Sequence, residues 1–208
     1  MHALIKNIFI LASISLLITS CSTLNKNECK TANWKTIGYE DGTKGYPASR
    51  IGQHRSACAE YGISPNLNKY TEGRKKGLNH YCIPSTGYKK GLQGYHYNGV
   101  CIGNNEHAFL DAFKHGLSIN KEQHRLNKLK SDYAEEEHFI EELELKLHKK
   151  ERRLVSGKLP KFKAIILLNE TKEITEDIRL TNINLENLSE GINRQSQRIL
   201  QLKYLSGY

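Results

Sequence analysis

Cysteine and histidine are the residues of this chain whose types and spacing could support chemistry. His54 lies four residues before Cys58, and His80 lies two residues before Cys82. Such pairs can hold tetrahedral zinc, and a cysteine thiolate beside an imidazole can act as the nucleophile of a hydrolase. Both chemistries require reduced thiols. The compartment of the protein therefore decides whether either chemistry is possible. Three further histidines in the same region extend the set: His96, His107 and His115.

The compartment is indicated by the first twenty-one residues. Lys6 lies in a short charged segment, an apolar run occupies residues 8–18, and Ser20 precedes Cys21. The run is short for a membrane span, and a cysteine at the expected cleavage point is typical of a lipoprotein signal. We therefore expect a signal peptide at residues 1–20, acylation of Cys21, and a lipidated tether at residues 21–28. An ordinary secretory signal or an N-terminal membrane helix are the alternatives.

The residue after the expected lipidation site bears on which membrane holds the protein. Ser22 occupies the position at which an aspartate usually retains lipoproteins in the inner membrane. We therefore expect the protein to lie on the periplasmic face of the outer membrane of a Gram-negative bacterium.

The net charge is +9, but an exported protein does not meet the chromosome, so nucleic acid is not an expected partner. Lipopolysaccharide, anionic phospholipids and acidic cell-wall peptides are the available anions, unless the charge serves solubility alone.

Four cysteines remain when Cys21 is assigned to lipid, namely Cys29, Cys58, Cys82 and Cys101. An even number in an oxidising compartment indicates two disulfides, although three connectivities are open. Pairing between sequence neighbours, Cys29 with Cys58 and Cys82 with Cys101, is favoured. No thiol is then left for a nucleophile or for zinc, and we expect no catalytic residue, metal or cofactor. A periplasmic hydrolase or zinc-binding protein that uses the histidines and cysteines of residues 29–120 is the alternative.

Glycines follow aromatic residues at intervals of three or four throughout residues 29–120. Tyr70 and Tyr88 are eighteen residues apart, as are Gly73 and Gly91, which indicates a degenerate repeat. Glycines four residues apart form a stripe along a helix that lets another backbone approach closely. The pattern is Trp34, Gly38, Gly42, Gly45; Tyr70, Gly73, Gly77; Tyr88, Gly91, Gly94; and Phe109, Phe113, Gly116.

The alternative to short helices is a β-repeat with hairpin turns at the glycines. A strand would alternate polar and apolar residues, and residues 70–81 do not. The helical period instead places five residues on one face: Tyr70, Gly73, Gly77, Leu78 and Tyr81. Short helices are weakened by glycine, so we expect the disulfides to stabilise them.

Several motifs of this region together resemble a known family. They are Cys58-Ala-x-Tyr-Gly-Ile-x-Pro65, Tyr70-x-x-Gly-Arg-x-x-Gly-Leu-x-x-Tyr-Cys82, Gly87-Tyr-x-x-Gly-x-x-Gly-x-x-Tyr97 and Val100-Cys101. Over residues 29–117 the chain is similar to uncharacterised proteobacterial envelope lipoproteins that share a domain of unknown function. The resemblance implies an envelope lipoprotein with these cysteines, and it brings no activity. The acidic residue usual after the loop proline is replaced by Asn66.

A basic, tyrosine-containing face is a further candidate site. Two basic runs, residues 74–76 and Lys89-Lys90, alternate with tyrosines in the sequence. Such a face could bind glycan or lipid head groups, or it could be a solvated basic surface over a tyrosine core. The tyrosines are Tyr70, Tyr81, Tyr88, Tyr95 and Tyr97.

The C-terminal half carries a heptad pattern. Apolar residues recur from Leu126 to Leu154 and from Leu167 to Leu202, on either side of the breaker residues 156–160. This pattern predicts an antiparallel coiled-coil hairpin over residues 121–208. The first stripe is interrupted at Glu136 and Lys150. Polar residues at the remaining positions of the second stripe could set the register or mark where a third helix packs: Thr171, Thr181 and Gln195.

The sequence therefore predicts a mostly α-helical protein, in which a small disulfide-stapled domain of short helices at residues 29–120 precedes a long helical hairpin. We expect a non-enzymatic envelope lipoprotein with a structural or protein-interaction role. The expected interaction surface, for self-association or an envelope partner, is the hairpin, where apolar residues lie off the seam. They are Ile119, Phe139, Phe162, Ile165, Ile166, Leu168, Ile183 and Leu205.

Overall fold

A computed structural model of the chain describes residues 23–103 and 106–206, so the expected signal peptide and Cys21 lie outside the described residues. The described residues contain helices and no strand. This confirms a mostly α-helical fold with short helices before a long hairpin. No helix in these two stretches is both long enough and apolar enough to cross a bilayer. The helices are α1 (Lys26–Lys30), α2 (Trp34–Thr43), α3 (Arg50–Ala59), α4 (Leu67–Tyr81), α5 (Pro84–Leu92), α6 (Glu106–Val155) and α7 (Lys161–Ser206).

The chain divides into two compact units. The described part of the first runs to Ile83 and includes residues 97–103 and Glu106. The second contains residues 84–96 and everything described after Glu106. Helices α1 to α4 thus belong to the first unit and α5 to α7 to the second, apart from the first residue of α6. The boundary expected at residue 120 falls inside α6, which continues unbroken to Val155.

Glycines let α2 and α4 pack backbone against backbone in the first unit. A Cβ atom on Gly38 would overlap the carbonyl oxygen of Tyr70, and one on Gly73 would overlap that of Lys35. Further along, a Cβ atom on Gly77 would overlap the backbone of α2 in the same way. The contacts advance in the same direction on both helices, so α2 and α4 run parallel, as the return through α3 allows.

The second unit repeats this arrangement with α5 and the start of α6. A Cβ atom on Gly87 would overlap the carbonyl oxygen of Phe109, and one on Gly91 would overlap that of Phe113. From the opposite side, a Cβ atom on Gly116 would overlap the carbonyl oxygen of Tyr88. These contacts again run in one direction along both helices, so the second pair is also parallel.

The two helix pairs are copies of one another. Gly38-Tyr-x-x-Gly-x-x-Gly-Tyr46 recurs as Gly87-Tyr-x-x-Gly-x-x-Gly-Tyr95, 49 residues later. In the partner helices, Tyr70, Gly73 and Gly77 correspond to Phe109, Ala112 and Gly116, 39 residues later. The eighteen-residue spacing of Tyr70 and Tyr88 is therefore not the structural repeat, because it relates the second helix of one copy to the first helix of the next.

The ends of helices explain two further glycines of the repeat, Gly45 and Gly94. They also explain Asn66, the residue that differs from the motif of the resembled family. Gly45 and Gly94 have φ angles of +72° and +68° and end α2 and α5 rather than extending their glycine stripes. Asn66 is the N-cap of α4, where its side-chain oxygen accepts a hydrogen bond from the Lys69 N–H at 3.0 Å. Aspartate and asparagine cap helices equally well, so Asn66 can replace the acidic residue without loss of this function.

The predicted heptad seam joins α6 and α7. Leu126, Leu143, Leu167 and Ile199 are buried, and every other predicted seam residue is at least partly buried, including the polar ones. Lys150 of α6 contacts Glu170 of α7, while His115 near the start of α6 contacts Leu202 near the end of α7. The two helices therefore run antiparallel, as the sequence predicts.

One residue of the hairpin was assigned to the wrong face. Ile119 was expected to be exposed, but it is 2% exposed and packs in a cluster with Leu126 and Ile199. The reason is its position one heptad before Leu126, which places it on the seam. The seam therefore begins at least one heptad before Leu126.

Candidate functional site

The first unit contains a buried network of polar side chains. Nε2 of His54 lies 2.8 Å from Oδ2 of Asp41, and the Tyr70 hydroxyl donates to the same oxygen at 2.7 Å. On its other side, Nδ1 of His54 lies 3.0 Å from Oγ1 of Thr23. The network joins α2, α3, α4 and the segment that precedes α1. Three of its four side chains are almost inaccessible to solvent: Asp41 (5%), His54 (3%) and Tyr70 (1%).

The network favours the ionised form of Asp41. Burial alone would raise the pKa of its carboxyl group. The hydrogen bonds from His54 and Tyr70, with the electrostatic influence of His54 and Arg50, outweigh burial and lower that pKa below its usual value. Burial and the Asp41 carboxylate raise the pKa of the Tyr70 hydroxyl, so Tyr70 stays neutral and donates its hydrogen bond.

This network stabilises the fold and is poorly placed for catalysis. Both ring nitrogens of His54 have partners, and the burial of Asp41, His54 and Tyr70 keeps a substrate from reaching them. The other helix pair has Lys90 where this one has Asp41, and Phe109 where this one has Tyr70. The polar network is therefore a feature of the first unit alone. The sequence indicates His54 as a candidate zinc ligand or base, whereas its partner Asp41 belongs to no motif that would identify it.

The four cysteines of the described region are joined in neighbouring pairs. Cys29 is bonded to Cys58 and Cys82 to Cys101, and the Cα atoms of each pair are 5.5 Å apart. The first bond joins α1 to α3, and the second joins the end of α4 to the segment after α5. Neither a thiolate nucleophile nor a thiolate zinc ligand is therefore present within residues 23–103 and 106–206.

The histidines in residues 23–103 and 106–206 do not form a metal site. In the part of the chain that the structure describes, no group of three or more histidine, cysteine, aspartate or glutamate side chains is arranged to hold a metal ion. His80 packs edge-on against the ring of Tyr39, and His115 stacks on Tyr88 and donates to the carbonyl oxygen of Leu202. His96 and His107 are exposed.

The basic, tyrosine-containing face separates into different environments. Tyr70 and Tyr81 are buried, and Arg74 donates to the carbonyl oxygen of Tyr46 at 2.8 and 3.1 Å. These residues belong to the core of the first unit. In the second unit, the ammonium group of Lys90 lies 4.0 Å from the ring centroid of Tyr95, which is exposed.

A surface groove of about 610 Å³ is the cavity of the first unit that comes closest to a ligand site. Arg74 and Lys75 contribute to its lining, as does Cys82 of the Cys82–Cys101 bond. Its apolar part is formed by Leu78, Val100 and the exposed Ile102. The groove combines positive charge with apolar surface, but no buried polar side chain is directed into it that would select a ligand.

The hairpin contains a buried carboxylate that the sequence pattern did not single out. Glu122 accepts a hydrogen bond from Nε2 of Gln195 at 2.7 Å, and Arg125 and Arg198 lie 3.1 and 3.5 Å from its oxygens. The Gln195 hydrogen bond, aided by the two arginines, lowers the pKa of Glu122. Glu122 lies four residues before Leu126, so extension of the heptad pattern by one step would have identified it.

The outer surface of the hairpin exposes many large apolar side chains. Because the seam uses only one face of each helix, these residues have no place in the two-helix core. The exposed residues are Phe139, Leu145, Val155, Phe162, Ile165, Ile166, Leu168, Leu180, Ile183, Leu200, Tyr204 and Leu205. Of the eight residues predicted to lie off the seam, all except Ile119 are in this set.

Comparison with known proteins finds similarity over part of the chain. No curated protein and no solved structure is significantly similar to the chain. The match to a family model begins at the N-cap of α2 and ends in α6, so it includes both glycine-packed helix pairs and excludes most of the hairpin. Residues 33–118 are similar to the family described as protein of unknown function (DUF2799).

Proposed function

We propose that the chain is a non-enzymatic lipoprotein of the cell envelope, anchored through acylated Cys21, whose helical hairpin binds other protein surfaces. The buried network gives some support to the anchored arrangement. Thr23 contacts His54, so the chain joins the first helical unit two residues after the expected anchor. A tether this short would hold the unit next to the bilayer.

The observation that carries the interaction role is the exposed apolar surface of α7 away from the turn at residues 156–160. Leu180 and Ile183 lie about one turn apart on α7, and Leu200 and Leu205 continue near its end. Exposed apolar side chains in this number usually mark a protein interface. Either a second copy of the chain or another envelope protein would bury them.

Sedimentation velocity of the full mature chain with Cys21→Ser tests this role without the lipid anchor. We expect concentration-dependent self-association, or a discrete complex after crosslinking in envelope extracts. Leu180→Ser with Ile183→Ser should abolish it, because these substitutions remove apolar contact area. Leu67→Ser, at an exposed position in the first unit, is the matched control. A monomer at every concentration that forms no discrete complex would refute the interaction role.

Membrane separation tests the proposed location. With Ser22 after the lipidated cysteine, we expect the protein in the outer-membrane fraction. Ser22→Asp should move it to the inner-membrane fraction, because aspartate at this position is the usual retention signal. Recovery of the unaltered chain with the inner membrane would contradict the proposed location.

A further inference from the structure

Charge is strongly segregated along the hairpin. We define the tip as residues 145–166 and the shaft as residues 131–144 with residues 170–190. The tip contains eight lysine and arginine residues and one glutamate. The shaft contains thirteen aspartate and glutamate residues and two basic ones. The tip, with eight basic residues and one acidic residue, therefore carries a net charge of +7, and it is flanked on both helices by negative charge.

The positive charge of the tip is available to a ligand. Lys146 and Lys150 form ion pairs with Glu142 and Glu170. The other basic side chains of the tip are exposed and form no ion pair with any residue in the described stretches. They are Lys149, Arg152, Arg153, Lys158, Lys161 and Lys163.

Large apolar side chains are exposed among these charges. Val155 at the end of α6 is 86% exposed, and Phe162 at the start of α7 is 64% exposed. Ile165 and Ile166 follow Phe162 by three and four residues and share its face. At about 100° per residue, this face lies opposite the seam that contains Leu167. The tip thus presents apolar side chains and cations to the same surroundings.

We propose that the tip binds the surface of an anionic phospholipid bilayer. Phe162, Ile165 and Val155 would enter the boundary between head groups and acyl chains, while the surrounding lysines and arginines contact the phosphates. Segments that combine apolar side chains with a basic surround bind membrane surfaces in this way. The acidic shaft favours an approach by the tip first, because an anionic surface repels the shaft and attracts the tip.

A lipid surface fits these residues better than a soluble polyanion or an acidic protein. A soluble polyanion would be held by the cations alone and would leave Phe162 and Ile165 in water. An acidic protein groove would have to match apolar residues on both sides of the turn at residues 156–160. This inference concerns residues outside the surface assigned to protein contacts, and it does not depend on acylation of Cys21.

Vesicle co-sedimentation of the full mature chain with Cys21→Ser tests the proposal. Binding is compared on phosphatidylcholine vesicles and on vesicles that contain phosphatidylglycerol at roughly one lipid in three. We expect binding only to the anionic vesicles, and weaker binding as salt is raised. Arg152→Gln with Arg153→Gln should weaken it about 30-fold, because each basic residue contributes roughly fivefold.

The matched charge control removes two exposed lysines of the first unit. Lys44→Gln with Lys69→Gln changes the net charge by the same amount and should leave vesicle binding almost unchanged. Equal losses in the two variants would show that net charge, rather than the tip, controls binding. That result, or equal binding to neutral vesicles, would overturn the proposal.

The apolar residues are tested by substitution and by a fluorescent label. Phe162→Ser with Ile165→Ser should reduce vesicle binding at least tenfold while leaving far-ultraviolet helicity unchanged. A polarity-sensitive dye on Phe162→Cys should shift to the blue on anionic vesicles, and the same dye on Leu180→Cys in the shaft should not. Equal shifts at both positions, or binding to soluble polyglutamate that matches vesicle binding, would contradict a lipid site at the tip.

Discussion

Gly73 shows how strongly single residues constrain the packing of the first unit. Gly73→Ala would place a Cβ atom against the carbonyl group of Lys35, and backbone atoms cannot move aside as a flexible side chain can. We expect a loss of at least about 2–3 kcal/mol in the free energy of unfolding. Chemical denaturation monitored by tyrosine fluorescence measures this loss.

Gly52→Ala is the matched control for Gly73→Ala. Gly52 lies in α3, and a Cβ atom built on it has no atom within 4 Å. This substitution should stabilise the protein by about 0.5–1 kcal/mol, because alanine favours helix more than glycine does. Similar losses from both substitutions would show that close helix packing is not the reason for the glycines.

Asp41 gives a prediction that depends on pH. Asp41→Asn leaves His54 and Tyr70 without a buried carboxylate, and we expect a loss of about 2–4 kcal/mol at neutral pH. Because folding lowers the pKa of Asp41, its contribution is complete above the ordinary carboxyl pKa and is lost as the pH falls through the folded-state value. Thermal unfolding of both proteins between neutral pH and about pH 3 tests this window. A stability difference that stays constant or grows as the pH falls would rule out an ionised Asp41 carboxylate in the folded protein.

At the scale of helices, the Cys82–Cys101 bond allows the independence of the two units to be measured. It closes a loop across a sequence separation of 19 residues, which corresponds to about 3 kcal/mol in the chain-entropy model. Cys82→Ser should therefore destabilise the first unit and reduce the near-ultraviolet tyrosine signal. The far-ultraviolet helical signal should change little, because most of it comes from α6 and α7.

The double variant Cys82→Ser with Cys101→Ser separates loss of the bond from effects of a free thiol. It should behave as the single variant does. If both variants kept the near-ultraviolet signal and melting temperature of the parent protein, the bond would not stabilise the first unit and this prediction would be wrong.

The sequence predicted the helices and the seam because both depend on local periodicity. Glycines spaced by four and heptad leucines are readable wherever they occur, and Gly73, Gly77 and Leu143 occupy the environments that their spacing indicates. One error arose within the local heptad pattern itself. Ile119 was misassigned because the heptad pattern was started too late in the chain.

The buried network shows a second limit of sequence reasoning. Asp41 lies 13 residues before His54 and 29 residues before Tyr70, so no local pattern connects the three side chains. The duplication of the helix pairs was also hidden, because its two halves are offset by different numbers of residues, 49 and 39. A fixed-period search finds neither feature.

At the scale of the whole molecule, each unit has features that suit a different task. The first unit has a buried hydrogen-bonded network, two disulfides and helices packed closely through glycines, which suit a rigid attachment point. The hairpin has an exposed apolar surface and segregated charge, which suit binding. A role in interaction therefore rests on the hairpin.

Site-specific photo-crosslinking in living cells is the most direct test of that role. A photoreactive amino acid replaces Ile183 on α7 or, as the control, Gln53 on the exposed surface of α3. We predict that Ile183 yields one discrete adduct in the envelope fraction, with the mass of two copies or of one copy and a defined partner. Gln53 should yield none. The absence of any adduct at Ile183, or the same adducts at both positions, would contradict a binding function of the hairpin.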